Sequence, residues 1–162
     1  MDFRAESFDI FDKDWALLTA GTEQHYNTMT ISWGGLGTLW GKPVVTVYVK
    51  PIRYTHQFME QSDCFTVSFY SEKYRKALGL LGSLSGRDGD KVAEAGLTPE
   101  ALDSAVTFKE AKVTLVCKKI YRQDMDTNAM PADVVKDFYG SEDAHTIYIG
   151  EVIDIIRSES DQ

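Results

Sequence analysis

A chain of 162 residues, 43% hydrophobic and 26% charged, has the balance of an ordinary folded domain and is long enough to bury a core. Its net charge of −8 argues against a nucleic-acid partner, which needs a basic face, and makes any anion site a local concentration of cations. The longest apolar runs, such as Val44 to Val49 and Ile147 to Ile149, are strand-sized, and none approaches the roughly 18 residues a membrane span requires.

The opening stretch, MDFRAESFDIF, carries acids where a signal peptide has a basic start and an apolar run, so a cytoplasmic protein is expected. A strand from Trp15 to Ala20 closes at Gly21, and a polar turn, Thr22 to Tyr26, leads to a second strand from Thr28 to Trp33. Gly34-Gly35-Leu36-Gly37 is too rich in glycine for a regular element and reads as a loop. Val44 to Val49 has the continuous apolar character of a fully buried strand, bounded by Pro43 and Lys50-Pro51. A helix of two or three turns is expected from Arg53 to Gln61, with Tyr54 and Phe58 on one face. Strand character returns at Cys64 to Tyr70. Glu72 to Leu81 reads as a helix burying Tyr74, Ala77, Leu78 and Leu81, and Arg87 to Ala95 as a shorter one ended by Gly96. Val113 to Ile120 is a strand, and Pro131 to Phe138 a helix with proline first and Gly140 past its end. His145 to Ile156 is a long last strand in which Gly150 marks a bulge or a close approach.

No repeat, linker or low-complexity tract divides the sequence, so residues 1–162 are expected to form a single domain. Six or seven strands without full crossover helices between them favour a mainly β, antiparallel barrel over a parallel doubly wound sheet. Neither GxGxxG after a first strand nor GxxxxGK[ST] occurs, which excludes Rossmann and P-loop readings. Cys64 and Cys117 lie inside strands and read as buried, reduced thiols, and no CxxC or Cys/His cluster suggests a metal.

Four stretches carry candidate chemistry. In Asn27-Thr28-Met29-Thr30-Ile31-Ser32-Trp33, strand alternation puts Thr28, Thr30 and Ser32 in one row of hydroxyls, followed by glycines that let backbone approach a planar polar ring. Its structural reading is a half-exposed strand whose polar face meets water. Lys50-Pro51-Ile52-Arg53-Tyr54-Thr55 places an arginine, a tyrosine and a threonine at a helix start, where unpaired N–H groups favour an anion; its structural reading is a surface arginine and a capping threonine. Ser83 to Lys91 offers two serines, an arginine and a lysine beside glycines. Ser85 and Asp88 there also resemble a capping box, and Asp88 and Asp90 offset the local positive charge. His145 opens the last strand, a position that suits a structural histidine as well as a functional one.

Read together, NTMTISWGGLGTLWGKP (27–43), KPIRYT (50–55), SGRDGDK (85–91) and HTIYIGEV (145–152) resemble the flavin reductase-like family, the FMN-binding split β-barrels that include the flavoredoxins. The likeness runs from about Trp15 to Val152. It implies FMN held around Asn27 to Trp33, with Thr30, Ser32 and Trp33 flanking the ring or ribityl chain. Arg53, Tyr54 and Thr55 would bind the phosphate, helped by Ser85 and Lys91. His145 would lie near the flavin and a nicotinamide. Family members usually dimerise, and the grouping of Trp33, Leu36, Leu39 and Trp40 on or near one loop agrees with a homodimer.

Two functional classes follow from the resemblance: an NAD(P)H-dependent flavin or ferric reductase, and a flavoredoxin-type carrier that keeps its FMN and exchanges electrons with a protein partner. A barrel that has lost its flavin is the third reading, and the four-part pattern speaks against it.

Overall fold

Period-two alternation decides which side of each strand turns inward, and here it curls one sheet around a single core. In the computed structural model, residues 7–158 are described. Met1 to Glu6, which begin the acidic N-terminal stretch, and residues 159–162, which end the expected 1–162 domain, lie outside the described residues. The chain runs α1 (Asp9–Asp12), β1 (Ala16–Gly21), β2 (Tyr26–Ile31), β3 (Gly34–Leu39), β4 (Lys42–Val49), α2 (Tyr54–Gln61) and β5 (Cys64–Phe69). It continues through α3 (Arg75–Ser83), α4 (Lys91–Ala95), β6 (Pro99–Ala101), β7 (Val106–Phe108), β8 (Val113–Asp124), α5 (Ala132–Val134) and β9 (Thr146–Arg157).

Seven strands form one antiparallel sheet in the order β2-β1-β5-β8-β9-β4-β3, and β6 and β7 form a small hairpin. Alternate residues of six of the seven strands meet in one cluster: Leu18, Ile31, Val47, Val67, Leu115 and Tyr148 are representative. Ile10 and Phe11 of α1 and Phe58 and Met59 of α2 complete it. The sheet therefore closes on itself as a barrel, but its two edge strands, β2 and β3, are not paired with each other. The result is a split β-barrel. A second cluster, including Leu17, Leu78, Leu81, Val92 and Phe108, forms where α3, α4 and the small hairpin cover the outside of β1 and β5.

Several expectations are corrected. Gly34 to Leu39 is an edge strand rather than a loop, because it pairs along its whole length with β4, from Gly34↔Val47 to Leu39↔Lys42. The two-residue turn between them has positive φ at both Trp40 (53°) and Gly41 (71°), the conformation that matches the strand twist of a tight hairpin. The helix placed at Arg87 to Ala95 is shorter, since its cap is Asp90, whose side chain accepts from the Ala93 N–H, and not Ser85. The helix placed at Glu72 to Leu81 begins with a 3₁₀ turn, Glu72–Tyr74, and buries Leu78 and Leu81, while Tyr74 and Ala77 are only partly covered. Pro131 to Phe138 is one α-turn that widens into a π turn at Val135–Tyr139. Three short elements, α1, β6 and β7, carry too little periodicity to have been read.

Gly150 shows both features read for it. Ile120 is the extra residue opposite it in β8, and a Cβ on Gly150 would lie 2.5 Å from Phe65 and 2.7 Å from Cys117. Both cysteines are free; Cys117 is buried as expected, its thiol pushed up by burial, whereas Cys64 is only half-buried. Among the described residues no helix is long and apolar enough to cross a membrane.

Candidate functional site

Strand β2, the start of α2 and the loop between α3 and α4 enclose a cleft of about 240 Å³, and three of the four sequence stretches meet in it. Asn27, Arg53, Tyr54, Thr55, Ser85 and Lys91 all line it, together with Gly86 and Arg87. Arg53 takes the extended N-cap position of α2 and no side chain caps the helix; the His56 N–H donates to the Arg53 carbonyl, and the N–H groups of Tyr54 and Thr55 have no helical carbonyl to bond. Thr55 is fully buried, and its Oγ1 accepts from Asn27 Nδ2 at 2.8 Å, which leaves the hydroxyl proton free to donate. The loop presses so close to Asn27 that a Cβ on Gly86 would sit 2.1 Å from the amide oxygen. Only glycine allows that approach.

Lys91 is 5% exposed, and its Nζ donates to the carbonyls of Leu81 (3.3 Å) and Leu84 (3.2 Å) at the end of α3. An ammonium has three donors, so one remains for the cleft. Burial first, and the charge of Arg53 second, pull the Lys91 pKa down to about 8. Arg87 lies 4.9 Å over the Tyr54 ring and donates to the Ile52 carbonyl. Among the described residues none of Arg53, Arg87 or Lys91 forms a salt bridge with a carboxylate. Asp90, which seemed to offset Lys91, is turned away as the cap of α4. Three uncompensated cations and a buried hydroxyl in a protein of net charge −8 form a place for a multiply charged anion.

Asn27 and Met29 share the β2 face that reaches the cleft. Thr28 and Thr30 do share the opposite face, as alternation required, but α3 covers it. Thr28 is fully buried, paired with Thr19 Oγ1 at 2.8 Å and donating to the Leu18 carbonyl. Thr30 donates to the Leu78 carbonyl and faces Gly82. The row of hydroxyls is therefore not an open edge, and the Thr28 side chain is structural. Ser32 lies half-exposed just beyond the strand.

A second group of residues gathers where β4 ends and β9 begins. Val49 pairs with Thr146, so Lys50, which leads toward Arg53, and His145 leave the same end of the β4–β9 pair. His145 is buried, and its Nδ1 lies 2.7 Å from the Tyr139 hydroxyl. With that hydroxyl donating, Nε2–H is left to donate. The Trp33 ring, half exposed, stands 5.6 Å from both His145 and Phe138. Burial first, and Lys50 second, hold the His145 pKa below the ordinary imidazole value, so the ring is neutral at pH 7. Arg87 is the arginine already read in the Ser83 to Lys91 stretch. Tyr139 and Phe138 were not singled out from the sequence, because a π turn presents them.

The family model described as flavin reductase like domain matches residues 9–162. Solved structures share the fold. Flavoredoxin from Methanosarcina acetivorans superposes with a TM-score of 0.73 at 19% identity, over 98% of this chain and 75% of that one. A split barrel protein from Shewanella frigidimarina gives 0.71 at 17%, over 98% and 76%. The styrene monooxygenase flavin reductase from Pseudomonas putida S12 gives 0.66 at 19%, over 91% and 80%. None of the curated proteins is similar enough in sequence to match. Because the family model spans all of the chain beyond its first eight residues, the protein belongs to the flavin reductase-like family.

Proposed function

We propose that the protein is an FMN-binding oxidoreductase that takes electrons from NAD(P)H and passes them to free flavin or another acceptor. The observation that carries this reading is the cleft itself: Arg53, Arg87 and Lys91, unpaired with any described carboxylate, beside a helix start and a buried Thr55 hydroxyl. That donor set fits a phosphate monoester, and the Gly86 approach leaves backbone where a side chain would block it. When bound, FMN supplies a ring that accepts a hydride and releases single electrons.

On this reading Arg53 would hold the phosphate, with the Thr55 hydroxyl and the third Lys91 proton donating to it, and Asn27 fixes the Thr55 hydroxyl. Ser85 adds a hydroxyl at the rim. Ser32 and Trp33 wall the ring end, and the His145 Nε2–H orients the carboxamide of an incoming nicotinamide. A second reading, the carrier, is favoured by the exposed apolar rim that Trp33 and Phe138 present, which suits a protein partner. One experiment separates them. The purified protein should be yellow, and NADH or NADPH added without oxygen should bleach it. A protein bleached only by a reduced ferredoxin system is a carrier, and one that stays colourless after soaking in FMN refutes both readings.

The homodimer is part of the same proposal. The apolar residues grouped on the sequence are dispersed: Trp33 joins His145, Trp40 tips the β3–β4 hairpin, and Leu36 enters a groove of about 500 Å³ with Val44, Leu115, Ile153 and Ile155. A groove this apolar, with Leu36 and Ile153 exposed in it, suits a second copy. Sedimentation equilibrium should return twice the 18.2 kDa chain mass. A monomer at micromolar concentration refutes it.

A further inference from the structure

Helix α2 packs on β1 and β2, and its N-terminal end carries Arg53 at the N-cap and Thr55 in the first turn. Strand β9 lies elsewhere in the sheet, between β8 and β4, and follows directly from His145. The two ends of the proposed flavin site therefore stand on elements that are not neighbours in the sheet. One buried side chain ties them. Thr146, fully buried, donates its hydroxyl proton to Asp124 Oδ1 at 2.8 Å, so its oxygen accepts from His56 Nε2 at 3.0 Å. His56 is the residue after Thr55, and Thr146 is the residue after His145.

Charged groups hold this tie from both sides. His56 Nε2 also lies 3.5 Å from Glu60 of α2, and the Arg122 guanidinium of β8 joins Glu60 (2.6 Å) to Asp124 (3.0 Å). Helix, β8 and β9 thus share one connected network, in which the fully buried Thr146 hydroxyl joins His56 to Asp124. The backbone pairing of β9 does not need that hydroxyl: Val49↔Thr146 and Asp124↔Thr146 are ladder pairs that any strand residue satisfies.

We propose that Thr146 is a positioning residue that sets the spacing between the anion cradle on α2 and the His145 corner, through His56 and Asp124. The proposal rests on the flavin reading above. A ligand that reaches both ends gains from their fixed separation, whereas a fragment touching one end does not. Loss of the tie should therefore weaken FMN while sparing its parts.

The test is titration of the apo-protein with FMN, riboflavin and inorganic phosphate. Thr146→Val keeps volume and strand preference but removes both hydrogen bonds. It should weaken FMN about tenfold, the scale of a small misplacement between two binding ends, and leave riboflavin and phosphate within about twofold. Thr146→Ser should restore FMN affinity, and His56→Leu should reproduce the loss. Asp124→Asn, at an exposed side chain, gives the same split at smaller size should Thr146→Val not fold. Unchanged FMN affinity, an equal fall for all three ligands, or no rescue by serine overturns the proposal. A wild-type protein that binds phosphate but neither FMN nor riboflavin overturns the flavin reading, and this proposal with it.

Discussion

Lys91 gives the cleft a pH dependence whose sign is fixed by its surroundings. Burial and Arg53 lower its pKa to about 8 from the ordinary 10.5. A phosphate dianion beside the ammonium favours the charged form, so binding raises the pKa back toward 10.5. Below about pH 8 Lys91 is already protonated and binding takes up no proton; above it, each bound phosphate must draw one from solution. FMN affinity is therefore full below pH 8 and falls as pH rises through it. Full recovery of the ordinary pKa would weaken apparent affinity roughly thirtyfold between pH 7 and pH 9.5, about 2 kcal/mol. Solvent at the cleft mouth screens the pair, and about tenfold is expected. Fluorescence titration of the apo-protein across that range measures it, with riboflavin as a control that lacks the phosphate and should show no such slope. In Lys91→Gln, affinity should be lower at pH 7 and flat across the range. A flat wild-type profile, or an unaltered slope in the variant, refutes the placement of Lys91 against the phosphate.

Three other perturbations address the rest of the molecule. Arg53→Ala should weaken FMN on the order of ten- to a hundredfold, the worth of a charge-assisted contact, with the melting temperature nearly unchanged; fluorescence titration and thermal unfolding separate the two effects. His145→Ala should keep the flavin spectrum and cost FMN no more affinity than the roughly tenfold expected of Thr146→Val, while slowing anaerobic bleaching by NAD(P)H by about ten- to a thousandfold in stopped-flow absorbance, and a wild-type rate would return the residue to a structural role. Gly150→Ala should lower unfolding stability by about 1–3 kcal/mol or more, since its methyl group would meet Phe65 and Cys117 well inside contact distance; an unchanged urea midpoint would mean that the bulge relaxes freely.

What the sequence disclosed, and what it concealed, follows from the range of each signal. The barrel, its antiparallel strands and the long last strand were legible because alternation and valine-rich runs are local. The cleft was legible in outline because Arg53, Ser85 and Lys91 lie in short motifs with recognisable anion chemistry. Alternation placed Thr28 and Thr30 on a common face correctly, yet nothing local says that α3 covers it; that cover is a tertiary fact. Gly34 to Gly37 was misread as a loop because glycine content argues against a strand, whereas β4 supplies hydrogen bonds that override the preference. Asp90 was counted against the anion site by its proximity to Lys91 in sequence, and the helix cap it makes removes it from the cleft. The tie at Thr146 was invisible, since it joins three segments far apart along the chain.

The place of β9 has a consequence for how the protein comes into being. The strand is the last of the described strands but lies in the middle of the sheet, between β8 and β4. Until it is made, the β3–β4 hairpin has no partner on its inner edge, and the sheet from β2 to β8 ends in an unpaired strand. Two half-sheets with apolar inward faces must wait through the synthesis of most of the polypeptide, held apart from one another and from other chains. The pairing of β4 with β9 spans nearly the whole length between them and is slow by topology. A nascent chain stalled before Thr146 would thus expose two sticky edges at once, and the arrival of β9, rather than any local event, sets the moment at which the barrel can close.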